Sequence, residues 1–308
     1  MTKVLLIEKG ERGEVMKKER RIGYLGPAGT FTGLAVHALF PDEEMTNLHS
    51  FPSIEECLLA AHQRKTDVTV VPIENSIGGS VSMTLDWLIH EVEVPIQAEV
   101  RLPVHHELLA HPAQVGQRDF EIVYAHPQAL KQCDQYLRTH HPDIEQRPMN
   151  SSAEAAWLVA NNPDKAWLSI SNFIAKEIYQ LKAIQSNIEN NGMNTTRFIA
   201  LGYEKLDLVA EFQKSSMIVS FPENELMTLY QVLGVIDKYD IKPTKIESAP
   251  MKTELGHYVF FIDLDTTGKR EAYQLLCQDI RNLGCGLRQL GTYPTLEANL
   301  AYRGVGEL

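Results

Sequence analysis

The run Val70-Val71-Pro72-Ile73-Glu74-Asn75-Ser76-Ile77-Gly78-Gly79-Ser80-Val81 constrains this chain more than any other stretch. An apolar, β-branched segment stops abruptly in a carboxylate, an amide, a hydroxyl and two glycines. A helical pattern (Val81, Leu85, Leu88, Ile89) follows at once. This is the signature of a buried strand that delivers polar side chains to its C-terminal end, beside a helix N-terminus with free N–H groups. Small anions bind at such edges of open α/β sheets, although an ordinary strand–turn–helix corner carries the same pattern. Tyr24-Leu25-Gly26-Pro27-Ala28-Gly29-Thr30-Phe31-Thr32 repeats the design, with Phe31, Leu34, Ala35, Ala38 and Leu39 on one helical face. Asn194-Thr195-Thr196-Arg197-Phe198-Ile199-Ala200 sets hydroxyls and a guanidinium just before an apolar strand. Three polar strand ends, two rich in hydroxyls and one cationic, suit a small carboxylate ligand.

Taken in order, these strings resemble the prephenate dehydratase family. The marks are Gly26-Pro27-Ala28-Gly29-Thr30-Phe31-Thr32, then Pro72-Ile73-Glu74-Asn75-Ser76 through Gly79-Ser80-Val81. They continue as Tyr124-Ala125-His126-Pro127-Gln128-Ala129-Leu130 with Gln132-Cys133, Ser151-Ser152-Ala153-Glu154-Ala155-Ala156, and Thr195-Thr196-Arg197-Phe198. The resemblance spans about Arg21 to Gly202. It implies two α/β lobes with the site between them, like a periplasmic binding protein, and a regulatory ACT domain after Lys214.

At 308 residues the chain accommodates two domains with sizeable cores. With 22% charged and 44% hydrophobic residues it reads as a soluble globular protein. A net charge of −11 disfavours nucleic acid or an anionic membrane as partner, so an anionic substrate must be drawn by local groups. Cys57, Cys133, Cys277 and Cys285 form no CxxC pair and read as buried thiols of a reducing cytosol. No apolar run has the length of a membrane span, and Val4 to Ile7 is too short for a signal-peptide core. A cytoplasmic location follows as the expectation. Residues 1–20 read as a charge-dense extension, either a flexible leader or a segment preceding a start at Met16.

From Ile22 to Tyr203 strand and helix patterns alternate, which argues for an α/β domain with mainly parallel strands over 21–203. Strand-like pieces include Ile22–Leu25, Val68–Ile73, Ile96–Val100, Ile122–Ala125 and Phe198–Leu201. Pro95–His111 is long, extended and punctuated by proline, as where a chain crosses to a second lobe. After a short linker near 204–214, residues 215–295 follow the order βαββαβ, a ferredoxin-like split βαβ unit. By itself that order specifies no function. Residues 296–308 form a tail.

The resemblance implies that the substrate is prephenate, which loses carbon dioxide and a ring hydroxyl to become phenylpyruvate. Aromatisation drives the step, so no metal or organic cofactor is expected. The enzyme has to clamp carboxylates, assist hydroxyl departure and desolvate the carboxylate that is lost. Arg197 is the expected carboxylate clamp, because a guanidinium binds such groups bidentately. Thr30 and Ser76, with the N–H groups after Gly29 and Gly79, would complete an anion-binding rim. Thr196 is the residue that the resemblance marks as essential, and its weakly acidic hydroxyl suits a hydrogen bond to the departing hydroxyl. Glu74 is either a general acid or an orienting group for Asn75. Asn75, Ser152 and Phe198 complete the expected substrate contacts. His126 precedes a proline at a helix start and suits capping or packing, and His106 is the second histidine with acid–base potential.

The second half departs from the family pattern. A Gly-Ala-Leu turn and a Glu-Ser-Arg-Pro string together bind phenylalanine in family ACT domains. Here Met227-Thr228-Leu229 and Glu247-Ser248-Ala249-Pro250 stand in their places. Methionine fills space that glycine leaves open, and alanine removes the arginine. The expectation is therefore a degraded pocket and weakened phenylalanine inhibition. The resemblance also implies a homodimer or homotetramer. Arogenate dehydratase, or a non-catalytic small-molecule sensor on the same scaffold, are the competing readings.

Overall fold

The computed structural model describes residues 20–41, 45–208, 210–221, 225–252 and 257–298. Residues 1–19 of the expected extension and 299–308 of the expected tail lie outside that description. The first lobe contains β1 (Ile22–Leu25), α1 (Phe31–Leu39), β2 (Leu48–Phe51), α2 (Ile54–His62), β3 (Val68–Asn75), β4 (Gly79–Ser80), α3 (Ser82–His90) and β5 (Ile96–Pro103). Side chains cap two of its helices, and a third polar side chain closes the turn after β3. Thr30 accepts from the Gly33 N–H, Ser53 from the Glu56 N–H, and β3 ends in Asn75, which accepts from the loop that follows it.

The second lobe contains β6 (Glu107–Ala110), β7 (Ile122–Ala125), α4 (Pro127–Gln132), α5 (Asp134–His140), β8 (Glu145–Pro148), α6 (Ser152–Ala160), β9 (Trp167–Ser171), α7 (Phe173–Ile178) and β10 (Lys182–Ser186). Its sheet runs β10-β6-β9-β7-β8, with β7 parallel to both neighbours. The chain then returns through β11 (Thr195–Leu201), which lies antiparallel between β3 and β5. Two crossings therefore link the lobes, at 104–106 and at 187–194. The extended Pro95–His111 stretch contains the first of them, as its composition suggests.

The remaining elements are β12 (Phe212–Ser220), α8 (Glu225–Lys238), β13 (Lys242–Pro250), β14 (Tyr258–Asp265), α9 (Arg270–Asn282) and β15 (Gly286–Glu297). Their sheet order is β13-β14-β12-β15, the ferredoxin-like arrangement. The end of β15 runs parallel beside Glu99–Arg101 of β5, so this unit and the first lobe share one continuous sheet. One face of the unit packs α8 and α9 over Met217, Val219, Ile262 and Leu264. The other face sends Ile218, Val259, Phe261, Leu290 and Tyr293 into the core of the first lobe, against Val71, Leu88, Ile96 and Ile199. A hydrophobic seam of this kind couples the two units rather than leaving them on a tether.

The lobes are also pinned across the cleft. Asn172, the N-cap of α7, donates to the Gly29 carbonyl at 2.9 Å, and the Tyr179 hydroxyl donates to the Ala28 carbonyl at 3.0 Å. Gly29 has a φ of +86°, and a Cβ there would meet Ala175 at 3.4 Å. A side chain at this position would strain the turn.

Candidate active site

A cleft of about 260 Å³ opens beside the two crossings. Thr30, Asn75, Ser152, Thr196 and Phe198, all expected as site residues, line it together. Phe31, His106, His126, Gln128, Gln132 and Asn194 contribute further wall. No lysine, arginine, aspartate or glutamate is among these lining residues. Among the described residues, no group of His, Cys, Asp or Glu is arranged to hold a metal ion.

Backbone N–H groups are among the donors at the cleft wall. The first N–H groups of a helix have no acceptor within it and carry its positive end. Thr30 and Ser151 cap α1 and α6 by accepting from Gly33 and Glu154, which leaves Phe31, Thr32, Ser152 and Ala153 with N–H groups free of intrahelical partners. These four residues all line the cleft. The Thr30 hydroxyl donates to the Leu25 carbonyl at 3.0 Å, so its proton is already used. His126 caps α4 through Nδ1, which accepts from the Gln128 N–H at 3.2 Å, in keeping with a capping histidine.

The Asn75–Thr196 pair is the best-defined polar feature. Asn75 Oδ1 accepts from the N–H groups of Ile77 and Gly78 at 3.1 and 2.7 Å. Its amide nitrogen must then be the opposite atom, and it donates to Thr196 Oγ1 at 2.9 Å. Thr196 therefore accepts from Asn75, and its own O–H proton is left for a ligand.

Three expected site residues lie elsewhere. Strand alternation sends Thr196 and Phe198 into the cleft and turns Arg197 to the opposite face. There the Arg197 guanidinium, 11% exposed, meets Glu74 at 2.5 Å, Glu99 at 2.6 Å and Asp263 at 2.6 Å. It is not a carboxylate clamp for a ligand in this arrangement, because it is occupied by the protein's own carboxylates. Glu74 pairs with Arg197 in the β-ladder and faces the same way, bonding Lys245 at 2.9 Å. Burial pushes the Glu74 carboxyl up, but hydrogen bonds and charge from Lys245 and Arg197 outweigh it and hold the group below its usual range. In this arrangement Glu74 is an ionised carboxylate off the cleft wall, which favours a structural role over that of a general acid. Ser76 is exposed and accepts from the Thr195 N–H at 2.9 Å, which fixes the start of β11 rather than the cleft rim. Gly79 pairs with Asn75 in the short β4 hairpin and is likewise absent from the cleft wall.

Arg197 and Glu74 belong instead to an ion cluster at the seam between the units. Lys214 of β12 donates to both oxygens of the fully buried Glu99, and Ser216 and Arg197 both bond Asp263 of β14. Lys245 joins Glu74 to Glu247, and Glu247 accepts from Ser80 of β4. The pair Glu247 and Ser248 lines a hollow against Ser82, Met83 and Asp86 of α3. Met227 stands 58% exposed on α8 and Leu229 packs toward the core of the C-terminal unit, and neither lines that hollow.

Comparison with known proteins places this geometry in a family. The family model for prephenate dehydratase matches residues 22–206. A prephenate dehydratase of Bacillus subtilis is 34% identical over 285 residues, covering 90% of this chain and 99% of its own. One from Lactococcus lactis subsp. cremoris is 36% identical over 278 residues, covering 89% and 97%. The solved structure of the Arthrobacter aurescens prephenate dehydratase in complex with L-Phe superposes with a TM-score of 0.76 at 26% identity, covering 89% of each chain.

Proposed function

The chain belongs to the prephenate dehydratase family and catalyses the decarboxylating dehydration of prephenate to phenylpyruvate; we propose that the cleft between the lobes carries this reaction with Thr196 as the residue at the departing hydroxyl. The carboxylate on the ring leaves as carbon dioxide, and its bonding pair moves through the ring. The carbon–oxygen bond breaks at the far carbon, and the oxygen takes up a proton from solvent and leaves as water. Thr196 keeps its own proton and donates a hydrogen bond to the oxygen on which negative charge grows. The observation that carries this reading is the Asn75–Thr196 bond, whose direction reserves the threonine proton for a ligand.

The substrate is a dianion, and the cleft wall has no cationic side chain. The open N–H groups of Phe31, Thr32, Ser152 and Ala153 are the proposed carboxylate binders. They stabilise charge without neutralising it, which suits a carboxylate that must later leave as a neutral molecule. Phe31, Pro72 and Phe198 add an apolar wall against the ring. Prephenate and arogenate differ in a keto group and an amine, so parallel assays with both substrates test the reading. Phenylpyruvate from prephenate supports it. A folded chain that turns over neither substrate would instead be a sensor on this scaffold.

We further propose that the βαββαβ unit is an ACT domain with a weakened phenylalanine site. Ala249 packs against the shared core where the family string has arginine, and Glu247 is engaged by Lys245 and Ser80. Such domains pair through their sheets, and β13 ends the sheet here, which favours a homodimer or homotetramer. The four buried free thiols fit a reducing cytoplasm. No helix among the described residues is long and apolar enough to cross a membrane.

A further inference from the structure

We propose that Asn194 and His106 are positioning residues that fix which end of the Gln132 amide faces the cleft, so that an N–H pair rather than a carbonyl meets the substrate anion. The inference rests on the reading of the cleft as the prephenate site. Its starting point is the backbone, whose donors cannot be reversed. The Ile77 and Gly78 N–H groups fix the Asn75 carbonyl, and the Asn75 amide nitrogen then reaches Asn194 Oδ1 at 2.7 Å as well as Thr196. The opposite atom of Asn194 is therefore its nitrogen, and it donates to Gln132 Oε1 at 3.3 Å.

His106 Nε2 lies 2.9 Å from the same Gln132 oxygen. A carbonyl only accepts, so the His106 proton sits on Nε2. The ring is held for this task. The His106 N–H donates to Glu189 Oε2 at 2.9 Å, its carbonyl accepts from the Ile188 N–H at 3.1 Å, and Phe31 packs edge-on at 5.7 Å. Burial, first of the influences on it, lowers the imidazole pKa and keeps the ring neutral. Asn194 and His106 are 1% and 3% exposed, so water does not replace either partner.

Two buried donors thus grip the Gln132 carbonyl. Turning the amide over would set its NH2 against both donors and leave two buried hydrogen bonds unmade. The Gln132 nitrogen has no protein acceptor among the described residues, and the residue lines the cleft. The relay joins the two crossings to the end of α4 and finishes in two donors facing one space, the Thr196 hydroxyl and the Gln132 amide. Asn194 precedes Thr196 by two residues, and His106 has no signal of its own in the sequence beyond being a histidine at the lobe crossing.

The experiment combines prephenate kinetics with ring 15N NMR on the full-length chain. His106→Leu should raise KM by about tenfold or more, with kcat within about threefold, because a ground-state anion contact is lost. His106→Gln keeps an N–H donor and should restore KM to within about threefold of wild type. In a Gln132→Ala background, His106→Leu should change KM by about twofold or less, since the two residues act as one unit. The His106 ring signals, assigned by their loss in His106→Gln, should report a proton on Nε2. A proton on Nδ1, an unchanged KM in His106→Leu, or an undiminished effect in the Gln132→Ala background would each overturn the proposal. Failure of the wild-type chain to turn over prephenate would count against the functional reading alone, because the tautomer is read without turnover.

Discussion

Adjacent residues in this site do unrelated work. Thr196 and Asn75 face the cleft, while Arg197 and Glu74, one position away on paired strands, face the seam. Glu74→Gln tests that division. A general acid contributes a factor of about 100 or more to turnover, whereas a seam residue leaves kcat within about threefold and lowers the melting temperature. Phenylpyruvate formation and thermal unfolding of the one variant separate the two outcomes. Much of this was legible in the sequence. The period-2 alternation of a strand already forbids Thr196 and Arg197 from sharing one face. The contiguous motif hid the alternation, and the carboxylates that claim Arg197 come from 123, 98 and 66 residues away, where no local pattern announces them.

At the scale of elements, the seam is held by buried charge. Removing the guanidinium with Arg197→Met leaves the fully buried Asp263 without a cationic partner and Glu99 with Lys214 and Arg101, and should destabilise the chain by about 3–5 kcal/mol in urea unfolding. The same cluster sets the acid limit. Burial raises the Glu99 pKa, but Arg197 and Lys214 outweigh it, so Glu99 and Glu74 both titrate below an unfolded glutamate. Groups depressed in this way stabilise fully above the unfolded value of about 4.3, and that contribution is lost as pH falls through their folded pKa. Melting temperature should therefore hold down to that range and then drop, with a shallower acid drop in Arg197→Met. Central strands were the readable elements, β1 and β7 matching their apolar runs residue for residue. The edge strand β8 is exposed at all four residues and β10 is largely exposed, so neither carries the apolar signature that marks a strand.

For the whole molecule, the C-terminal unit is a continuation of the first lobe's sheet rather than a tethered module, a coupling that the βαββαβ pattern alone does not contain. With alanine at position 249 and methionine at 227, micromolar phenylalanine should leave prephenate turnover nearly unchanged, and strong inhibition at that level would mean the pocket survives in another form. In the proposed mechanism the Thr196 proton, reserved by Asn75, is what the cleft offers the departing hydroxyl. The most direct test is phenylpyruvate formation from prephenate by wild type and Thr196→Ala, with unfolding curves for both. The expected result is a loss of about 100-fold or more in kcat with an unchanged melting temperature, and substantial recovery in Thr196→Ser. A Thr196→Ala chain that forms phenylpyruvate at the wild-type rate would contradict it.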